Sequence, residues 1–86
     1  MKFSVVWQPD AIQELAAIWL RVADRNGITR ATQEVDDLLS REPRIQGESR
    51  IGTQRVFFVP PLGIRFEVIL DDLQVRVLAV WLTQRP

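Results

Sequence analysis

Three runs of β-prone residues fill the last third of this 86-residue chain, and only short turns separate them. The runs cover residues 54–59, 64–70 and 75–82. Pro60-Pro61 lies between the first and second runs, and Asp71-Asp72 lies between the second and third. The last two runs alternate apolar and polar side chains, which is the period of a strand with one buried face. Strands joined by such short links pair antiparallel. The sequence therefore predicts a three-stranded antiparallel meander.

The start of the chain predicts a short strand followed by a helix. Residues 2–7 alternate in the manner of a strand, and Pro9 favours a helix start because its missing N–H is not needed there. The predicted buried stripe of this helix follows the three-and-four spacing of one helical face. Its members are Ile12, Leu15, Ala16, Trp19, Val22 and Ala23.

A second helix is predicted after Asn26-Gly27, where Gly27 suits the left-handed position that ends the first helix. The second helix starts near Thr29 as its N-cap and ends before Pro43, which disfavours helical geometry at the preceding residue. Its apolar stripe is Ala31, Val35, Leu38 and Leu39. A link of two or three residues makes the pair an antiparallel hairpin, and residues 43–53 are predicted to be a loop.

These elements predict one α+β domain over residues 1–86, since a chain this short holds a single core. The order is β-α-α-β-β-β, with the helical hairpin packed on one face of a mainly antiparallel four-stranded sheet. The place of the first strand in the sheet is left open. We expect Trp81 in the core, because it shares the parity of Val75 and Val77, rather than stacked on a base.

The second face of the sheet is predicted to mix charged and apolar side chains. It carries Arg65, Glu67, Arg76, Ile69, Leu78, Val80 and Leu82. This face is too apolar to be an ordinary solvent-exposed surface, so we interpret it as a binding face.

The residue types that are missing exclude several chemistries. The chain has no cysteine, histidine or tyrosine. Disulfides, cysteine-ligated zinc, a cysteine nucleophile and a histidine general base are therefore excluded. Asp71-Asp72 is interpreted as a turn rather than a metal pair, and neither a metal nor a cofactor is expected. The longest apolar run, residues 15–20, is far shorter than the roughly 20 residues that cross a bilayer, so we expect a cytoplasmic protein without membrane contact.

Charge gives a weaker indication of the partner. The net charge is zero, which argues against strong non-specific binding of nucleic acid. Ten of the eleven basic residues are arginines, whose planar fork suits bidentate contacts to phosphate or carboxylate.

Several segments together resemble the RelE/ParE superfamily of bacterial toxins from type II toxin–antitoxin systems. They are WQPDA at residues 7–11 with Leu15 downstream, the helical hairpin, the predicted loop at 43–53 with its glycines and arginines, GIRFEV at 63–68, Asp71-Asp72, and VRVLAV at 75–80. The resemblance spans nearly the whole chain. It implies a compact toxin that is neutralised by an antitoxin, whose disordered or helical segment wraps it.

The resemblance also implies candidate activities. Ribosome-dependent members cut mRNA in a basic cleft, with an arginine on the third strand and an acid–base group near the chain's end. Arg65 matches that arginine, and Arg85 is the counterpart that this sequence offers near its end. ParE-like members act on DNA gyrase and are not nucleases. We favour the mRNA-directed toxin, with a gyrase inhibitor, or a non-catalytic interaction module of the same fold, as alternatives; a homodimer through the second sheet face is compatible with each.

Arg65 and Arg85 are thus the candidate catalytic residues. Arg65 either holds a phosphate or forms a cross-strand ion pair with Glu67 or a neighbour. Candidates for contacts to RNA or a protein partner are Arg50, Arg55, Arg76, Glu67, Leu78 and Val80. Glu67 is interpreted as a partner of Arg76 in preference to a general base.

Overall fold

The structure is a computed structural model, and it describes residues 2–46, 48–49 and 54–83. The helices are α1 (Pro9–Arg21) and α2 (Arg25–Arg41), followed by a 3-10 turn at Pro43–Ile45. The strands are β1 (Ser4–Trp7), β2 (Glu48–Ser49), β3 (Gln54–Val59), β4 (Leu62–Ile69) and β5 (Gln74–Leu82). In the described part of the chain, neither helix combines the length and the hydropathy needed to cross a membrane.

All five strands belong to one sheet, in the order β1-β5-β4-β3-β2. The β3-β4-β5 meander is antiparallel, as predicted. β1 occupies one edge and runs parallel to β5, because the two helices between β1 and the meander return the chain to its starting end. β2 is a two-residue strand at the other edge, within the segment predicted to be a loop. The α+β class is confirmed, and the element order matches the prediction except that β2 adds a fifth strand to the predicted four.

The boundary between the helices differs from the prediction. α1 ends at Arg21, and α2 already begins at Arg25. Asp24 is the N-cap of α2: its carboxylate accepts a hydrogen bond from the Gly27 N–H at 3.0 Å. Aspartate is among the strongest N-cap residues, so Gly27 lies in the first turn of α2 instead of ending α1.

α2 buries most of the stripe that its spacing predicts. Ala31, Val35 and Leu39 are buried and Leu38 is half-buried, whereas Ile28, which lies before the predicted start of the helix, is buried as well. The helix ends at Arg41, before Pro43, as predicted.

α1 is rotated relative to its predicted stripe. Its buried side chains are Ala11 and Ile18, whereas Ile12, Trp19 and Leu20 are exposed. Apolar residues cover more than half of the circumference of this helix, at 100° per residue, so periodicity alone does not select the face that packs on the sheet. The prediction that Ile12 and Trp19 are buried is wrong.

The helices cover one face of the sheet, which we call the closed face. Its buried side chains are Phe57, Val59, Leu62, Ile64, Phe66, Val75, Val77 and Val80. Among the described residues, no polar or charged side chain is buried. The other side of the sheet is the open face.

A β-bulge separates the two halves of β5. Arg65 of β4 lies opposite Ala79, but the next residue, Phe66, lies opposite Val77. Leu78 is therefore the extra residue of the bulge.

The bulge inverts the alternation in the second half of β5. Val80 is only 3% exposed and lies on the closed face, opposite Ile64. Trp81 lies on the open face and is 37% exposed. The predictions that Val80 faces outward and that Trp81 closes the core are both wrong, because one extra residue transfers every later side chain to the other face.

Candidate functional site

Arg65 lies in the middle of the open face. It is exposed, and its neighbours across the sheet are Val56 on β3 and Ala79 on β5. Leu78, the extra residue of the bulge, is half-buried. Within the described residues, no carboxylate forms an ion pair with Arg65. Arg65 is thus exposed between apolar cross-strand neighbours, and Glu67 lies two residues further along the same face of β4.

Two aromatic side chains lie beside Arg65 on the open face. Phe58 and Trp81 flank Gly63 in the register of the sheet, and Gly63 precedes Arg65 by two residues on β4. Their rings meet edge to face, with centroids 6.3 Å apart. Two residues of a strand span roughly 7 Å, so this aromatic pair (Phe58 and Trp81) occupies the position next to Arg65 on the same face. Phe58 is 56% exposed, which leaves its ring available to a ligand.

Gly63 lets the Trp81 indole lie against the strand. A Cβ atom at position 63 would stand 2.7 Å from Cζ2 of Trp81 and overlap the ring more severely at Cε2 and Nε1. The sequence pattern does not predict the aromatic pair. A glycine inside a strand signals such a close approach, but the bulge hides which residue makes it.

Glu67 and Arg76 lie on the open face on the opposite side of Arg65 from the aromatic pair. They are directly opposite each other on β4 and β5, which is a favourable cross-strand charge arrangement. The Arg76 Nε donates to Oε1 of Gln74 at 2.9 Å. The register thus places Arg65, Glu67 and Arg76 on one face, as the alternation predicts.

The remaining candidates fall elsewhere. Arg55 lies opposite Phe66, on the side of the closed face, and its Nε donates to the Gln46 carbonyl at 2.8 Å. That hydrogen bond holds β3 to the segment after α2, so Arg55 does not lie beside Arg65. Arg50 and Arg85 lie outside the described residues.

Glu14 of α1 supports the half of β5 that carries Trp81. Pairing between β1 and β5 ends at Trp7 and Val77, so the later edge of β5 has no strand beside it. The Val80 N–H on that edge donates to Oε1 of Glu14 at 3.2 Å. The carboxylate replaces the missing strand at this point, a role that no sequence pattern indicates.

The open face has the chemistry to hold a single nucleotide. A guanidinium binds phosphate by paired hydrogen bonds, and an adjacent exposed ring offers a stacking surface to a base. Among the described residues, no group of three carboxylates is placed to hold a metal ion.

Comparisons with known proteins give matches in structure and none in sequence. No protein-family model and no curated protein sequence matches the chain. The toxin–antitoxin complex RelBE2 of Mycobacterium tuberculosis contains a similar chain, with a TM-score of 0.75, 16% identity, and coverage of 98% of this chain and 95% of that one.

Two further structures are similar over nearly the whole chain. The chromosomal ParDE toxin–antitoxin system of P. aeruginosa gives a TM-score of 0.70 at 18% identity, covering 96% of this chain and 98% of that one. The isolated RelE toxin of E. coli gives 0.70 at 15% identity, covering 98% and 87%. The protein therefore has the RelE/ParE fold, which confirms the fold that the sequence resemblance implies.

Proposed function

We propose that this protein is the toxin of a type II toxin–antitoxin pair and that it inhibits growth by acting on mRNA at the ribosome. The RelE/ParE fold, which covers nearly the whole chain, supports the toxin assignment. The observation that carries the RNA assignment is the exposed Arg65 guanidinium beside the aromatic pair on the open face.

In this proposal Arg65 holds a backbone phosphate and the aromatic pair holds a neighbouring base. The paired N–H groups of arginine match two phosphate oxygens, and a charge-assisted contact of this kind is stronger than a neutral hydrogen bond. Stacking on an aromatic side chain contributes about 1–3 kcal/mol per base and accepts every base. Binding of this kind selects single-stranded RNA without strong sequence preference.

Arg65 also stabilises the charge that develops on the phosphate during cleavage. Such stabilisation acts in the transition state and therefore raises the rate. Arg85, near the chain's end, is proposed as a second cation for the same phosphate. Because the chain has no histidine or tyrosine, cleavage relies on this electrostatic stabilisation and on the orientation of the RNA, without a histidine or tyrosine general base.

The proposed protein partner is a cognate antitoxin. The structural neighbours from M. tuberculosis and P. aeruginosa belong to toxin–antitoxin complexes or systems. An antitoxin segment that covers the open face would block Arg65 and the aromatic pair together, which is a direct route to neutralisation.

The test combines purified protein with translating ribosomes and maps the ends of the mRNA. We expect cut mRNA with the unaltered chain, a loss of at least tenfold in cutting rate with Arg65→Ala, and a smaller loss with Phe58→Ala. Arg30→Ala is the matched control, because Arg30 is an exposed arginine of α2, on the helix side of the sheet. Its cutting rate should equal that of the unaltered chain.

Two results would contradict the RNA assignment. Intact mRNA together with inhibited supercoiling by purified DNA gyrase would favour a gyrase inhibitor. Unchanged cell growth upon expression, with a small neighbouring protein still bound, would favour a non-catalytic interaction module.

A further inference from the structure

Three polar side chains lie together on the open face, next to Arg65. Arg76 of β5 and Glu67 of β4 are directly opposite each other, and Gln74 precedes Arg76 by two residues on the same face of β5. All three are half-buried, whereas Arg65 is exposed. We call Arg76, Glu67 and Gln74 the polar cluster. It begins two residues, or roughly 7 Å, beyond Arg65 along β4.

Gln74 holds the guanidinium of Arg76 in one orientation. The Arg76 Nε donates to Oε1 of Gln74 at 2.9 Å. Because this bond uses the side-on N–H, the two terminal nitrogens remain as a fork of two parallel donors. Within the described residues, Arg76 forms no ion pair, although Glu67 is its cross-strand neighbour. The fork is thus oriented without being filled by a carboxylate.

The charge around Arg76 differs from the charge around Arg65. Glu67 lies directly opposite Arg76, at the roughly 5 Å of a cross-strand pair, but it lies roughly 7 Å along the strand from Arg65. The polar cluster is therefore charge-balanced, and its carboxylate repels a backbone phosphate. A neutral group that carries both donors and acceptors fits such a cluster better than an anion does. The edge of a nucleobase is a group of this kind.

Cytosine has the edge that matches these groups. Its Watson–Crick edge presents one donor, the N4 amino group, beside two adjacent acceptors, N3 and O2. The two acceptors are spaced like the oxygens of a carboxylate, which an arginine fork matches, so Arg76 donates to both. One carboxylate oxygen of Glu67 accepts from N4, as glutamate does from cytosine elsewhere. The contact needs only that one oxygen.

The other bases match less well. Uracil presents an acceptor, O4, to the carboxylate and a donor, N3–H, to the fork, so both contacts become repulsive. Adenine has no second acceptor on its Watson–Crick edge. Guanine presents one acceptor beside two donors there, which leaves half of the fork without a partner.

We propose that the polar cluster is a cytosine-reading subsite, one nucleotide away from the phosphate that Arg65 holds. The proposal rests on the proposed RNA function and adds a specificity to it, because the phosphate contact and the aromatic pair accept any base. The aromatic pair and the polar cluster lie on opposite sides of Arg65. The two bases that flank the phosphate are therefore splayed apart, which is typical of single-stranded RNA bound to protein. Gln74 is a positioning residue, since it acts through Arg76.

The first experiment measures the binding of labelled single-stranded RNA hexamers by fluorescence anisotropy. One hexamer is all uridine, and three others carry a single cytidine, adenosine or guanosine near the centre. We expect the cytidine hexamer to bind at least about tenfold more tightly than the others. Arg76→Lys retains the charge but not the fork, so the cytidine preference should fall below about threefold. Its affinity for the all-uridine hexamer should stay within about twofold.

Gln74→Ala tests the positioning role. It leaves both contacting groups in place, so it should reduce the cytidine preference while the affinity for the all-uridine hexamer hardly changes. A general loss of stability would not alter this ratio of two affinities. Gln33→Ala is the matched control, because Gln33 is an exposed glutamine of α2, on the helix side of the sheet. It should retain the full preference.

The second experiment maps the mRNA ends that the ribosome test produces. With the unaltered chain, the cuts should concentrate next to cytidines. Arg76→Lys should still cut, but without this bias. Arg65→Ala should lower cutting at all sites alike, because the phosphate contact is the same at each of them.

Three results would overturn the cytosine subsite. The first is equal binding of the four hexamers with a dependence on Arg65, in which case the RNA proposal stands and the subsite fails alone. The second is tightest binding of the guanosine or the adenosine hexamer. The third is equal weakening of all four hexamers by Arg76→Ala with a less steep salt dependence, which would make Arg76 a phosphate contact. Absence of any RNA binding would instead contradict the RNA proposal, and the subsite with it.

Discussion

The same strands form both faces of the sheet, but the two faces have different roles. Every buried side chain of the closed face is apolar and at most 6% exposed, whereas the open face presents Arg65 and the half-exposed aromatic pair. Burial of apolar area is the main stabilising contribution to a small domain, so stability depends on the closed face. The open face is free to carry charges that a core would not tolerate. Substitutions on the two faces should therefore differ in kind as well as in size.

The largest effect is expected for Phe66→Ala on the closed face. Phe66 is fully buried and its ring meets that of Phe57 edge to face, with centroids 5.3 Å apart. Loss of such a core ring costs about 3–5 kcal/mol, enough to unfold a domain of marginal stability. Urea unfolding followed by tryptophan fluorescence measures the change.

Phe58→Ala is the matched control on the open face, where the ring is 56% exposed. The exposed ring should contribute less than about 1.5 kcal/mol, the upper range for an aromatic pair beyond its burial. Equal losses for Phe66→Ala and Phe58→Ala would show that the open face also supports the fold.

The second effect is expected for Gly63→Ala, where the new methyl group overlaps the Trp81 ring. Overpacking of this kind costs about 1–3 kcal/mol, and it should displace the indole from the strand. Near-ultraviolet circular dichroism reports the ring, and urea unfolding reports the stability. In a Trp81→Ala background the same substitution should cost little, because the overlapping atoms are gone. An unchanged cost in that background would locate the strain in the backbone instead.

The sequence predicts the elements that depend on local patterns and misses those set by long-range pairing. Proline and aspartate mark the turns of the meander locally, and Arg65 precedes the bulge, so simple alternation places it on the correct face. Trp81 follows the bulge, and nothing local shows that β5 holds one residue more than β4 at that point. The buried face of α1 is predicted wrongly for a different reason. Its apolar arc is wider than the surface that β5 can cover, so the packing rather than the pattern selects Ile18 over Trp19.

A smaller effect is expected for Glu14→Ala, at the edge between the two faces. The substitution leaves the partly buried Val80 N–H without its acceptor, which costs about 1–2 kcal/mol. Hydrogen exchange at the Val80 amide should become faster. The increase should be at least the factor that corresponds to the measured loss in the free energy of unfolding. Glu14→Gln retains an acceptor oxygen and should lose less. Glu34→Ala, at an exposed position of α2, should leave this amide unchanged.

The smallest change in stability is expected for Arg65→Ala. Arg65 is exposed, and its cross-strand neighbours Val56 and Ala79 offer it no charge. Exposed substitutions of this kind stay within about 0.5 kcal/mol, so the urea midpoint should hardly move.

The same substitution should nevertheless weaken binding to single-stranded RNA. The slope of log affinity against log salt concentration is negative, and each lost phosphate contact makes it less steep by about 0.7 for a single strand. Titration of a labelled oligonucleotide at several salt concentrations measures that slope, with Arg30→Ala as the control. A large loss of stability in Arg65→Ala, with an unchanged slope, would mean that this guanidinium maintains the sheet. In that case the open face would contribute to stability, contrary to the assignment of stability to the closed face and binding to the open face that their burial indicates.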